Sequence, residues 1–129
     1  LSEYEGFAYN LSKYDDIARL YLISDVLITD YSSVFFDYAN LRRPMLFFTY
    51  DLEKYRSVLR GFYIDVEEEL PGPMLMTTDE VIGALQNIEN VVTEYSDKYT
   101  AFCDKYCVWE DGTAAKKVVE TVFSDKSNK

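Results

Sequence analysis

The residues of this chain best suited to chemistry form one turn, Asp30-Tyr31-Ser32-Ser33. It follows the apolar, β-branched run Val26-Leu27-Ile28-Thr29 and precedes a helical pattern that starts at Val34. A strand that ends where a helix begins is where open α/β sheets bind their ligands. The helix start offers unpaired N–H groups and the positive end of the dipole, both suited to an anion. Ser32 and Ser33 add two hydroxyls that can donate to phosphate oxygens, and their small side chains let an anion reach the backbone. Plain helix capping is the competing reading, since Ser and Asp are ordinary caps. Asp37 follows Ser33 by four residues, one helical turn, and could accept hydrogen bonds from a ribose hydroxyl pair or simply be a solvated helix acid.

Three other groups are weaker. Arg60 in Arg60-Gly61-Phe62-Tyr63 could bring a guanidinium to a phosphate, because Arg recognises planar oxygen pairs, or be an exposed loop residue. Glu67-Glu68-Glu69 reads as a solvated acidic face. Asp111-Gly112-Thr113 could be a second helix-start anion contact, with capping the favoured reading. The chain has no histidine, so no Ser/His/Asp or Cys/His arrangement can form within it. It also has no Gly-Lys-Ser/Thr phosphate loop and no G-x-G-x-x-G.

The elements that must position these residues follow from periodicity. Phe7-Ala8-Tyr9-Asn10 is expected as a short strand, and Asp15-Asp16 to open a helix carrying Ile17, Leu20 and Tyr21. Val26–Thr29 is expected as a buried parallel strand. The helix from Val34 to Leu41 places Val34, Phe35, Tyr38 and Leu41 on one side, with Arg42-Arg43 in its last turn and Pro44 ending it. Met45–Phe48 reads as the next buried strand. Helix, strand, helix, strand predicts a parallel sheet covered on both faces. Beyond the firm turn Pro71-Gly72-Pro73, Met74–Met76 is a last short strand. Thr77 and Glu80 have the spacing of a capping box. A further helix carries Tyr95, Tyr99, Phe102 and Tyr106, and a final one carries Ala115, Val118, Val119, Val122 and Phe123 on one face. Residues 124–129 read as a flexible tail.

The composition fits one domain with a real core. The chain has 129 residues, 48% of them apolar. Twelve Tyr and eight Phe suit a broad half-buried surface, because Tyr can bury its ring and keep its hydroxyl bonded. A net charge of −10 argues against a general nucleic-acid surface but not against a phosphate ligand held by backbone N–H groups. No run of about 18 apolar residues exists to span a membrane. The opening at Leu1, without an initiator Met or a signal peptide, points to a piece of a longer protein. Cys103 and Cys107 share a helix face where a bridge has poor geometry, so free thiols are expected, as in a reducing compartment.

The run Ile23 to Tyr38 closely resembles the CDP-glycerol:poly(glycerophosphate) glycerophosphotransferase family. So do Arg43-Pro44, Tyr50-Asp51-Leu52, Tyr55-Arg56, Arg60-Gly61-Phe62-Tyr63, Leu70-Pro71-Gly72-Pro73 and Asp111-Gly112-Thr113-Ala114, in the family's order and spacing. The resemblance implies a GT-B fold, two Rossmann-like domains facing a cleft. Residues 1–123 would be much of the C-terminal domain, which holds the CDP-glycerol donor. Asp30, Ser32 and Ser33 would cradle the pyrophosphate, Asp37 the ribose, and Arg60 would be a second phosphate contact. The family's reaction moves glycerol phosphate from CDP-glycerol to a growing teichoic acid chain and releases CMP. It uses histidines, which would lie outside this chain, so no catalytic residue, cofactor or metal ligand is expected within it. The implied partners are CDP-glycerol, the N-terminal GT-B domain of the parent protein and a lipid-linked polyol-phosphate acceptor, with no nucleic acid. The implied location is the inner face of the bacterial membrane, peripheral and cytoplasmic. Two alternatives stay open: a related CDP-ribitol or capsular polyol-phosphate transferase, and a non-catalytic nucleotide-binding or interaction domain.

Overall fold

A computed structural model describes residues 2–51 and 66–123. Arg60 and its neighbours, and the tail 124–129, lie outside the described residues. After a 3-10 turn at Ser2–Tyr4, the order is helix α1 (Ile17–Ile23), strand β1 (Leu27–Thr29), helix α2 (Val34–Ala39) and strand β2 (Met45–Phe48). Helix α3 (Val66–Glu69), strand β3 (Met74–Leu75) and helices α4 (Thr78–Gln86), α5 (Ile88–Glu94), α6 (Ser96–Tyr106) and α7 (Ala114–Phe123) follow. The strands are parallel in the order β1-β2-β3, with Leu27 opposite Met45 and Phe47 opposite Met74. This is the α/β class that the alternating pattern predicts.

β2 is central, and its Met45, Leu46 and Phe47 are all buried. A strand flanked on both sides reads as a continuous apolar run, as this one does. β1 is different. It lies at the edge of the described sheet, and Ile28 is 47% exposed, so the expectation of a buried strand fails there. The expected strand at Phe7–Asn10 is also absent. Gly6, at φ +82, turns the chain, Phe7 and Ala8 bond back to the Tyr4 carbonyl, and Phe7 is 86% exposed. A short segment with no strand beside it has nothing to pair with.

The core joins α2 to β2 and α6. Phe35, Tyr38 and Ala39 of α2 meet Met45 and Phe47 of β2, Leu70, and Phe102 and Cys103 of α6. Phe35 presents its face or edge to Phe47 at 5.4 Å, and Phe36 meets Tyr106 edge-on at 5.2 Å, both favoured aromatic geometries. Fully burying one such ring stabilises by about 1.5–3 kcal/mol, so this cluster fixes where α2 sits on the sheet. Tyr hydroxyls find partners as the composition leads one to expect: Tyr38 donates to the Ser24 carbonyl, Tyr99 to the Arg43 carbonyl and Tyr106 to Glu69. Glu69 also pairs with Lys105 at 2.7 Å and ties α3 to α6, so at this position the acidic run is a structural contact and not a solvated face. Gly72 cannot carry a side chain, since a Cβ there would collide with the Met45 carbonyl.

Both cysteines are free. The Cys103 thiol lies 3.7 Å from the Ala39 carbonyl, and burial together with the neighbouring Cys103 pushes the Cys107 thiol up to about 11. The Cys107 thiol is therefore a neutral, weakly reactive group.

Candidate functional site

The turn after β1 is built by its own aspartate. Asp30 Oδ1 accepts the Ser32 N–H at 2.8 Å, which bends the chain away from the strand within two residues. Tyr31 is buried and anchors the turn, while Ser32 and Ser33 remain exposed. Ser33 heads α2 with φ −63° and ψ −4°, and its side chain makes no capping hydrogen bond. Among the described residues neither serine hydroxyl has a hydrogen-bond partner, so the capping explanation for these two residues is not realised. Two hydroxyls and the first N–H groups of a helix therefore stand together at the carboxyl end of a parallel strand. That arrangement can receive a phosphate without a basic side chain.

Asp37 is placed differently from Ser32 and Ser33. It lines a groove of about 360 Å³ between α1 and α2, together with Ile17, Tyr21 and Leu41. Burial, and then the Asp37 charge, raise the Tyr21 hydroxyl above its ordinary pKa. The Tyr21 oxygen is itself buried without a hydrogen-bond partner among the described residues. The groove thus offers one carboxylate on largely apolar walls, with the Tyr21 ring beneath it. Among the described residues no hydrogen bond joins the Asp37 side chain to Ser32 or Ser33, and Arg60 lies outside the described residues. The structure thus unites Asp30 with Ser32 and Ser33 and sets Asp37 one helical turn away, toward α1.

The other anion candidate closes on itself. Asp111 accepts from the Thr113 N–H at 2.9 Å and its hydroxyl at 2.6 Å, and pairs with Lys117 at 2.7 Å. The Lys117 ammonium, with Thr113, holds the Asp111 carboxyl well below the usual carboxylate range. The space before this helix thus already holds a carboxylate tied to Thr113 and Lys117, which does not favour a second anion there.

The sequence did not reveal what the Arg42-Arg43 pair does. No basic residue lies in the last turn of α2, which ends at Ala39. Arg42 lies beyond the helix at φ +52°, and Arg43 reaches back to α1, where Nη1 donates to the carbonyls of Leu22 at 2.9 Å and Ser24 at 2.6 Å. The one signal was the helix stop itself, and it fits a dipole role equally well.

The profile of the family described as CDP-Glycerol:Poly(glycerophosphate) glycerophosphotransferase matches residues 1–124. A teichoic acid poly(glycerol phosphate) polymerase of Bacillus subtilis is 54% identical over 123 residues, covering 95% of this chain and 16% of its own length. A teichoic acid poly(ribitol-phosphate) polymerase of Bacillus spizizenii is 40% identical over 121 residues, covering 93% of this chain and 19% of its own length. The solved structure of the wall teichoic acid polymerase TagF superposes with a TM-score of 0.87 at 45% identity, over 97% of this chain and 31% of TagF. A histidine-to-asparagine variant of TagF soaked with CDPG matches equally well. The chain therefore spans less than a third of these relatives' length. It has the fold of the matching part of TagF, a GT-B type glycosyltransferase, so the Rossmann-like class expected from the sequence holds.

Proposed function

The chain belongs to the CDP-glycerol:poly(glycerophosphate) glycerophosphotransferase family, and on that premise we propose that it is the donor-holding part of a transferase. That enzyme moves glycerol phosphate from CDP-glycerol to the terminal hydroxyl of a growing teichoic acid chain. The acceptor oxygen bonds to the glycerol-bearing phosphorus, the bridging P–O bond breaks, the acceptor proton goes to a base, and CMP leaves. Negative charge grows on the departing CMP phosphate, where preorganised donors lower the barrier.

The observation that carries this reading is the Asp30–Ser33 turn, with its two serine hydroxyls unengaged at the head of α2. In our assignment Ser32, Ser33 and the α2 N–H groups hold the pyrophosphate, and Asp30 shapes the turn. Asp37 holds the ribose from the α1–α2 groove, and Arg60 is a second phosphate contact. Residues 1–123 act as the nucleotide-binding domain of the C-terminal GT-B half. CDP-glycerol is favoured over CDP-ribitol because the glycerol-phosphate relative is 54% identical and the ribitol-phosphate relative 40%. The base, the acceptor site and the attachment to the membrane belong to the rest of the protein. Among the described residues no helix is long and apolar enough to cross a membrane.

The test is an NMR titration of the labelled chain with CDP-glycerol, using CDP, CMP and UDP as controls. Amide shifts at 30–37 that favour cytidine diphosphates are expected. Replacing both serines with Ala should weaken binding at least about tenfold, the loss expected for one hydrogen bond to a charged group. A folded wild type without such shifts, or a double variant that binds as well as wild type, overturns the assignment.

A further inference from the structure

We propose that the cavity between the α2–β2 junction and the α5–α6 bend is a second binding site, in which Arg42 holds a phosphodiester unit of the poly(glycerol phosphate) chain. This rests on the transferase reading above, which makes that polymer the product. The cavity encloses about 180 Å³ and is lined by Arg42, Arg43, Tyr95, Ser96 and Thr100 over an apolar floor that includes Met45. Met45 pairs with Leu27, the first residue of β1. The cavity therefore opens at the amino end of the parallel strands, whereas the Asp30–Ser33 turn lies at their carboxyl end. The two sites are distinct.

Three observations point to an anionic ligand. The chain carries 23 acidic and 13 basic residues, yet no acid lines this cavity, and its two charged residues are both arginines. A polyanion is repelled by most of such a surface, so one acid-free basic cavity sets its register. The two guanidiniums are also not equivalent. Arg43 turns Nη1 to carbonyls at the end of α1, whereas the Arg42 guanidinium is exposed and makes no hydrogen bond or ion pair with a described residue. It lines the cavity together with Ser96, Tyr99 and Thr100 of α6. Lastly, Arg42 has φ +52°, a left-handed backbone conformation that Gly adopts far more readily. A long charged side chain held in that sparsely populated region fits a residue whose head group is used.

The lining narrows the ligand class. A guanidinium takes a phosphodiester through two parallel N–H bonds. The Ser96 hydroxyl has no partner among the described residues, and the Thr100 hydroxyl, which donates to the Ser96 carbonyl, keeps acceptor capacity for a polyol hydroxyl. The volume, about six waters' worth, suits one glycerol phosphate unit.

The labelled 129-residue chain is titrated with a defined glycerol phosphate hexamer, with inorganic phosphate and phosphatidylglycerol vesicles as parallel arms. Arg42→Gly removes the charge while easing the backbone, and a melting temperature at or above wild type shows that it folds. Expected are shifts at Arg42 and residues 95–100 with the hexamer, about tenfold weaker binding in Arg42→Gly, and a smaller loss in Arg42→Lys. CDP-glycerol shifts at 30–33 should be unchanged in both variants. Inorganic phosphate binding as tightly as the hexamer, or vesicles binding tighter, overturns the polymer as ligand. Silence in the cavity with the CDP-glycerol response intact overturns this site alone. Hexamer shifts at the cavity with no CDP-glycerol response overturn the donor-site reading and support the cavity. No response to either ligand in a folded chain overturns both.

Discussion

Arg43 stands just before β2, and its guanidinium reaches back to the end of α1. There Nη1 donates to the Leu22 and Ser24 carbonyls and approaches that of Tyr21 at 3.4 Å. A helix leaves its last carbonyls without intrahelical partners, and this side chain with the Tyr38 hydroxyl supplies them for α1. The Arg43 carbonyl in turn accepts from Tyr99 of α6 at 2.9 Å. One residue thus links α1, β2 and α6. Arg43→Met keeps the aliphatic stem and strands those carbonyls, so it should cost about 2–3 kcal/mol, with partial recovery in Arg43→Lys. Urea unfolding measures this, and a loss below about 0.5 kcal/mol would show that water replaces the guanidinium without penalty. The sequence could rank Arg43 only as a charge near a helix end, because its partners lie about twenty residues upstream and meet it only in three dimensions.

At the level of elements, α4 was the most legible. Thr77 Oγ1 accepts from the Glu80 N–H, and Glu80 Oε2 accepts from the N–H groups of Met76 and Thr77, at 2.6 and 3.0 Å. Those backbone donors hold the Glu80 carboxyl below its ordinary 4.5. The sign follows directly. A carboxylate with a depressed folded pKa stabilises the helix start above its unfolded value, and that contribution disappears as pH falls through the folded value. Amide exchange in the first turn of α4 should therefore accelerate below about pH 4 relative to the rest of the helix, and Glu80→Gln should abolish the difference. Thr77→Ala should cost about 1 kcal/mol. A flat pH response of that turn would show that the Glu80 bonds are not formed in solution. The Pro71-Gly72-Pro73 turn was legible as a turn, but the reason for its glycine was not, since the Met45 carbonyl that excludes a Cβ comes from another strand. β1 was legible as a parallel strand, but its pairing with β2 in the described sheet was not, because pairing order is absent from local pattern.

At the scale of the molecule, the described structure leaves several large apolar side chains exposed. Phe7, Ile23, Trp109 and Phe123 are each 70% exposed or more, and Val118, Val119 and Val122 of α7 are exposed as well. Large exposed apolar area marks interaction surfaces, and the relatives are more than three times longer than this chain. The chain also has no histidine to act as the general base for the acceptor hydroxyl. The chain alone is therefore expected to bind CDP-glycerol but to release no CMP when an acceptor is added. A coupled assay for CMP checks this, and release above the blank would show that the chain holds a base of its own.

Local chemistry by itself determined a good deal: the parallel α/β class, the capping box, the strand-to-helix turn at Asp30–Ser33 and, through its ordered motifs, the family. Each is encoded within a window of a few residues or as a succession of such windows. Tertiary structure alone decided that the serines of that turn are unengaged and that Asp37 faces α1. It also decided that the neighbouring arginines part, one tied to carbonyls and the other at the mouth of a cavity. These outcomes depend on which distant groups compete for the same donors, and that competition is resolved only when the helices close on the sheet.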